Sequence, residues 1–64
     1  MSTGEILKQI NEAGWTEIRV YGHYHQFANP DYRQIITLPV YPGKEVSMEV
    51  LKNLEKGTGL SFHR

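Results

Sequence analysis

Three residues that can exchange protons or bind ligands follow a glycine in the first half of the chain. In the stretch V-Y-G-H-Y-H-Q-F, residues 20–27, His23, Tyr24 and His25 come directly after Gly22. Imidazole suits proton transfer because its pKa lies near neutrality. Tyrosine, with a reference pKa of about 10, is a poor base at neutral pH. The stretch therefore predicts an active site, a metal site or the beginning of a strand.

The metal site has the weakest support of the three. His23 and His25 have the alternate spacing that lets one strand offer two imidazoles, and His63 would be a third ligand. The chain has no cysteine, and no cluster of acidic residues completes the set. A closed zinc site needs four ligands and an open one needs three. We therefore expect no metal and no cofactor.

Length and charge limit what can position these residues. We expect the 64 residues to form a single domain over 1–64 with a thin core, because small domains bury only about 60% of their unfolded surface. Seven Lys and Arg balance seven Asp and Glu, so nucleic-acid binding would depend on local patches. No apolar run approaches the roughly 20 residues that span a bilayer, and the first residues lack a secretory pattern. We expect a cytoplasmic protein without membrane contact.

Two amphipathic helices are predicted, one at each end of the chain. Ser2 and Glu5 have capping-box spacing, and apolar residues recur at helical spacing until Gly14, which can end the helix in a left-handed conformation. Ser47 is typical of a second N-cap, and Gly57 is predicted to cap the C-terminus of that helix. Leu60 is then expected to fold back on it.

Three short strands are predicted between the helices. Residues 16–21 alternate with a period of two, which predicts a strand with one buried face. Residues 23–28 and 34–40 form the next two, joined by the turn chemistry of residues 29–31. Short connections imply an antiparallel meander. The predicted fold class is α+β with the order αβββα, a three-stranded antiparallel sheet with both helices on one face and the other face open.

Alternation along the second strand divides the candidate residues between the two faces of the sheet. His23, His25 and Phe27 share one face, while Tyr24 and Gln26 share the other. If Phe27 is in the core, His25 points toward the helices, so a structural role for a half-buried ring competes with a catalytic role. Only a one-residue bulge at the beginning of the strand would bring His25 into the place of Tyr24.

The order of these motifs resembles the HicA toxin family, small bacterial proteins that cut messenger RNA and are held inactive by a HicB antitoxin. The matching segments are Gly14-Trp15, Gly22-His23-Tyr24-His25-Gln26-Phe27, Ile35-Ile36-Thr37-Leu38-Pro39, Pro42-Gly43-Lys44-Glu45, Leu51-Lys52-Asn53-Leu54 and Gly59-Leu60. The resemblance implies a fold similar to a double-stranded RNA binding domain. It also implies an RNA endonuclease (mRNA interferase) with messenger RNA and a HicB-like antitoxin as partners.

The resemblance also indicates which residues form the site, and two positions depart from the family. The family histidine is replaced by Tyr24, and Tyr41 stands where many members carry a second histidine. The candidate catalytic residues are His25, His23 and Tyr24. Independently of the resemblance, the places of Arg19, Arg33 and Lys44 in the predicted strands and turns let them hold a phosphate beside Tyr24, which can stack a base. The candidate RNA-binding residues are Arg19, Gly22, Gln26, Arg33 and Lys44.

Three functions remain open at this point. The first is a toxin that cuts messenger RNA. The second is a module of the same fold that binds RNA or protein and has lost cleavage, because Tyr24 replaces the histidine. The third is a small domain whose open sheet face docks a protein, in which case the scattered basic residues are solvated surface. An antitoxin is expected to cover the open face or the second strand.

Overall fold

The chain folds as helix, three strands and helix, in the predicted order. The computed structural model describes residues 2–62. Its elements are α1 (Thr3–Glu12), β1 (Thr16–Tyr21), β2 (Tyr24–Ala28), β3 (Ile36–Pro39) and α2 (Met48–Thr58). Within residues 2–62, neither helix combines the length and the apolar character needed to cross a bilayer.

The helix caps follow local sequence signals, with one exception. Ser2 and Glu5 form the predicted capping box, in which the Ser2 amide donates to Glu5 Oε1 over 2.9 Å. Ser47 caps α2 by accepting from the Val50 amide over 3.3 Å. The prediction that Gly57 caps α2 is wrong, because the helix continues through it to Thr58 and the left-handed cap is Gly59, with φ 74°.

Gly57 has a packing role instead of a capping role. A Cβ atom at this position would lie 3.0 Å from Cγ2 of Ile36 on β3. A side chain at residue 57 would therefore need Ile36 to move by a few tenths of an ångström.

The three strands form one antiparallel sheet in the order β1-β2-β3. In the β2–β3 ladder His25 lies opposite Leu38 and Phe27 opposite Ile36. The β1–β2 ladder shifts register between Glu17 and Arg19, so that Ile18 is an extra, bulged residue. The side chains of β1 therefore do not point to alternate faces of the sheet in a regular way along the whole strand.

Both helices pack on the same face of the sheet, as predicted. Ile6 and Ile10 of α1 and Leu51 and Leu54 of α2 form one buried cluster with Phe27, Ile36 and Leu38. Trp15 and Phe62 complete this cluster. Leu60 is partly buried against it, so the chain after α2 does fold back on the helix.

β1 lies outside this core, which contradicts the prediction of a buried face. All six of its residues are exposed, including Ile18 at 50% and Val20 at 47%. The buried helix residues gather over β2 and β3, and β1 is an edge strand. The alternating pattern was correct for a strand, but no helix covers its apolar side chains.

Two strands are shorter than predicted because their ends belong to turns. β2 begins at Tyr24, and His23 lies in the turn before it. β3 begins at Ile36, so Arg33 and Gln34 lie in the preceding loop. That loop is held by Asn29, which is buried, accepts from the Asp31 amide at Oδ1 and donates from Nδ2 to the Ala13 carbonyl.

Candidate functional site at the Gly22 end of the sheet

The turn between β1 and β2 places His23 and Tyr24 at one end of the sheet. Tyr21 lies opposite Tyr24, so the turn consists of Gly22 and His23 alone. Gly22 has φ 53°, the left-handed region that a first turn residue needs here and that a side chain would strain. The role of Gly22 is therefore to allow the backbone conformation of this turn, with or without a contact to RNA.

His23 is held at this turn by the chain that leaves β3. Its carbonyl accepts from the Val40 amide over 2.7 Å, and its Nδ1 lies 3.1 Å from the Val40 carbonyl oxygen. A carbonyl can only accept, so in neutral His23 the proton is on Nδ1 and Nε2 keeps a free lone pair. The ring also lies against Tyr41, with centroids 4.7 Å apart. This imidazole is oriented and has a nitrogen available as a base.

Tyr24 and Tyr41 lie side by side next to His23. Hydrogen-bonding interaction with the Tyr24 side chain, followed by Coulombic interaction with it and by desolvation, raises the pKa of Tyr41 above its ordinary value of 10.0. The raised pKa keeps the Tyr41 hydroxyl protonated at neutral pH, so that it can donate a hydrogen bond. Tyr24 is 49% exposed, so it is accessible to a ligand.

Both tyrosines line a cavity of about 300 Å³ that also contains Lys44. The Lys44 amide donates to the Tyr41 carbonyl over 3.1 Å, and a backbone bridge joins Glu45 to Ser2 at the beginning of α1. The loop after β3 is therefore fixed against α1. It brings Lys44 and Glu45 to the same cavity as two hydroxyl groups, and of these the lysine and the hydroxyls are donors suited to an anion.

His25 does not join this group, because its side chain lies on the helix-facing side of the sheet. It pairs with buried Leu38, and its Nδ1 lies 2.6 Å from Glu17 Oε1. The imidazole is 26% exposed and the carboxylate is 44% exposed. The expected orientation of His25 is confirmed. No bulge shifts the beginning of β2, since Tyr24 and His25 stay in register with Pro39 and Leu38.

The predicted RNA-binding residues divide between three places. Arg19 and Gln26 lie opposite each other on the open face, and Lys44 lies at the cavity. Arg33 lies in the loop between β2 and β3, at the other end of these strands from Tyr24. The structure therefore does not bring Arg33 together with Lys44.

No metal centre is found in the part of the chain that the structure describes. Among residues 2–62, no three His, Cys, Asp or Glu side chains group closely enough to hold an ion. His63, the third ligand considered above, lies outside these residues.

Comparison with known proteins gives the family. The family model described as HicA toxin of bacterial toxin-antitoxin matches residues 4–60. The solved structure named "HicA3 and HicB3 toxin-antitoxin complex" contains a chain with 33% sequence identity and a TM-score of 0.77. The match covers 98% of this chain and 100% of that one. The chain belongs to the HicA toxin family. None of the curated proteins matches it.

Membership of the HicA family allows the residues near Gly22 to be compared with those that the family resemblance expects. This HicA-family chain carries tyrosine at both positions where the resemblance expects histidine, and the fold places these two tyrosines side by side. Tyr41 was not among the predicted site residues, although the resemblance had already placed it where many family members carry a second histidine. The pairing of His25 with Glu17 has no comparable signal, because it depends on the bulge at Ile18.

Proposed function

We propose that this HicA-family toxin binds and cuts messenger RNA at the cluster formed by His23, Tyr24, Tyr41 and Lys44. The observation that carries the proposal is the orientation of His23, whose Nδ1 faces the Val40 carbonyl and whose Nε2 has no hydrogen-bond partner among residues 2–62. A base with a near-neutral pKa is what the removal of a proton from a 2′-hydroxyl requires. A cation and two hydroxyl donors lie close by.

In this proposal the RNA supplies its own nucleophile. His23 Nε2 takes the 2′-hydroxyl proton, the 2′ oxygen attacks the adjacent phosphorus, and the bond from phosphorus to the 5′ oxygen breaks. The 5′ oxygen takes a proton from water, which reaches this exposed site. Lys44 and the hydroxyls of Tyr24 and Tyr41 stabilise the negative charge on the phosphate oxygens, a role that suits fixed donors.

We also propose that residues 1–64 act as one domain, in the cytoplasm, where messenger RNA is present. A HicB-like antitoxin is the proposed protein partner, supported by the name of the similar HicA3 and HicB3 complex. The antitoxin is expected to cover the open face or the beginning of β2, since blocking access to RNA is the simplest form of inhibition. Crosslinks confined to the outer sides of the helices would contradict this placement.

The direct test incubates purified protein with a long RNA in the presence of a metal chelator. The parent is expected to cut the RNA. His23→Ala is expected to lower the rate by about 100-fold, the lower end of the contribution of a general base. His25→Ala is the matched control, because His25 lies on the other side of the sheet, and it is expected to keep the parent rate. Circular dichroism checks that both variants are folded.

Two results would overturn the role of His23. Loss of cleavage in His25→Ala, with His23→Ala unchanged, would assign the chemistry to the pair of His25 and Glu17. An inactive parent that gains activity as Tyr24→His would instead show that the site lacks its base.

The second result corresponds to a second candidate function, which one observation favours. Tyrosine occupies both positions where the family resemblance expects histidine, and the two side chains lie close enough for Tyr24 to raise the pKa of Tyr41. Such a pair can bind a phosphate or a base without cutting it. In that case the chain is a binding module for RNA or protein that has kept the fold and lost the reaction.

A further inference from the structure

The face of the sheet opposite the helices carries a distinct set of side chains. The strand pairings place Arg19 opposite Gln26, Gln26 opposite Thr37, and Tyr21 opposite Tyr24. These residues alternate with Phe27 and Leu38, which are buried under the helices. We call this surface the open face and define it by Thr16, Arg19, Tyr21, Tyr24, Gln26 and Thr37.

Two aromatic rings lie at the Gly22 end of the open face. Tyr21 and Tyr24 are direct neighbours across β1 and β2, and they are 59% and 49% exposed. The Arg19 guanidinium lies 5.5 Å from the centroid of the Tyr21 ring, and its Nη1 donates to the Tyr21 hydroxyl over 3.2 Å. The cation is therefore held next to the rings.

The bulge in β1 determines the charge of this face. In a regular strand Glu17 and Arg19 would lie on the same side, because they are two residues apart. The extra residue Ile18 turns Glu17 to the side of Phe27, where its carboxylate meets His25. Arg19 remains on the open face with Gln26, and none of the six residues that define the face is acidic. A chain with zero net charge thus presents a locally positive, aromatic surface.

We propose that the open face binds unpaired RNA, with successive bases stacked on Tyr21 and Tyr24 and a phosphate beside Arg19. Exposed aromatic rings bind single strands because every free base has a face to stack, whereas bases in a duplex are already stacked on each other. Gln26 offers an amide to a base edge. This inference rests on the proposed function and extends it, since it names the substrate class as single-stranded RNA.

The open face and the cleavage cluster are continuous through Tyr24. This residue pairs with Tyr21 on the open face and lines the cavity with Tyr41 and Lys44. An RNA chain whose bases stack on the two rings therefore enters the cavity at its next phosphate. Binding and cleavage would then share one RNA strand, in a fixed register.

The experiment measures binding of the full chain to short 2′-O-methyl RNA, which cannot supply the nucleophile for cleavage. An unpaired oligonucleotide is compared with a hairpin of the same composition at moderate salt. The unpaired form is expected to bind more tightly. Tyr21→Ala is expected to weaken its binding by about tenfold, within the range measured for base stacking on an aromatic side chain. Arg19→Ala is expected to lower the slope of log affinity against log salt by about one.

Val20→Thr is the matched control, because Val20 pairs with His25 and so lies on the other side of the same strand. It is expected to bind as the parent does. Equal affinity for hairpin and unpaired RNA, or an unchanged affinity in Tyr21→Ala, would overturn the inference. So would a Tyr21→Ala variant that loses antitoxin binding but keeps RNA binding, since the open face would then dock protein.

The inference and the proposed function fail in different ways. If the parent does not cut RNA but Tyr21→Ala weakens binding of the unpaired oligonucleotide, the open face binds RNA and the catalytic proposal fails. If the parent cuts RNA and binds it independently of Tyr21 and Arg19, the catalytic proposal stands and the inference about the open face fails.

Discussion

At the scale of single residues, the site depends on groups that fix the tautomer or the pKa of a neighbouring side chain. The Val40 carbonyl fixes the tautomer of His23, and Tyr24 raises the pKa of Tyr41. Sequence alone identified His23 and Tyr24 as candidates because their types and spacing are visible. It could not identify their partners, since Val40 and Tyr41 meet them only through the pairing of β2 with β3.

The pKa of Tyr41 gives a prediction about pH. Its raised value means that the folded protein keeps this proton above pH 10, where the unfolded chain loses it. The contribution of Tyr41 to the free energy of unfolding is therefore constant below pH 10. That free energy falls as the pH rises beyond 10, because the unfolded chain then releases the Tyr41 proton more readily than the folded protein does. Tyr24→Phe is expected to move the pKa of Tyr41 back toward 10.0.

Spectrophotometric titration of tyrosinate measures this shift, and Tyr41→Phe identifies the contribution of that residue. Tyr21→Phe is the control, because Tyr21 pairs with Tyr24 across the strands but is not a cause of the shift at Tyr41. An identical Tyr41 titration in the parent and in Tyr24→Phe would contradict the interaction.

At the scale of elements, the contact of α2 with β3 depends on a glycine inside the helix. Replacing a helical glycine by alanine usually stabilises a helix, by up to about 1 kcal/mol. Gly57→Ala is expected to lower the free energy of unfolding by about 1 kcal/mol instead, because overpacking against Ile36 outweighs the gain in helix propensity.

Gly4→Ala provides the matched comparison in α1. A Cβ atom there meets nothing within 4 Å, so the variant is expected to gain about 0.5 kcal/mol. Urea unfolding measures both changes. Equal stabilisation by the two substitutions would show that α2 does not approach β3 as closely as described.

The elements also show what the sequence can and cannot predict. Helix starts were predicted correctly because Ser2 and Ser47 act on amides three residues away, within their own sequence neighbourhood. The end of α2 was not predicted correctly, because Gly57 and Gly59 are equally suited to a left-handed helix cap. Only the contact of Gly57 with Ile36 distinguishes the two glycines. The exposure of Ile18 and Val20 was missed for a similar reason, since alternation does not show where a helix packs.

At the scale of the whole molecule, the core occupies the space between the helices and two of the three strands. A domain of 64 residues is expected to have a free energy of unfolding of about 3–10 kcal/mol. Leu38 lies in the centre of that core and is fully buried. Leu38→Ala is therefore expected to cost about 2–5 kcal/mol and to unfold much of the protein.

Val20→Thr is expected to change stability by no more than about 0.5 kcal/mol, because Val20 is half exposed at the edge of the sheet. Thermal unfolding followed by circular dichroism compares the two variants. A large loss of stability in Val20→Thr would mean that β1 is covered by a helix after all.

The bulge at Ile18 also affects how this protein behaves at high concentration. β1 is an edge strand with exposed apolar side chains, and such an edge can recruit the strand of another molecule and begin to aggregate. The bulge interrupts the regular spacing of amides and carbonyls along β1, so a second chain finds no long straight ladder to extend. We therefore expect the irregularity that gives the open face its charge to disfavour the growth of fibrils through β1.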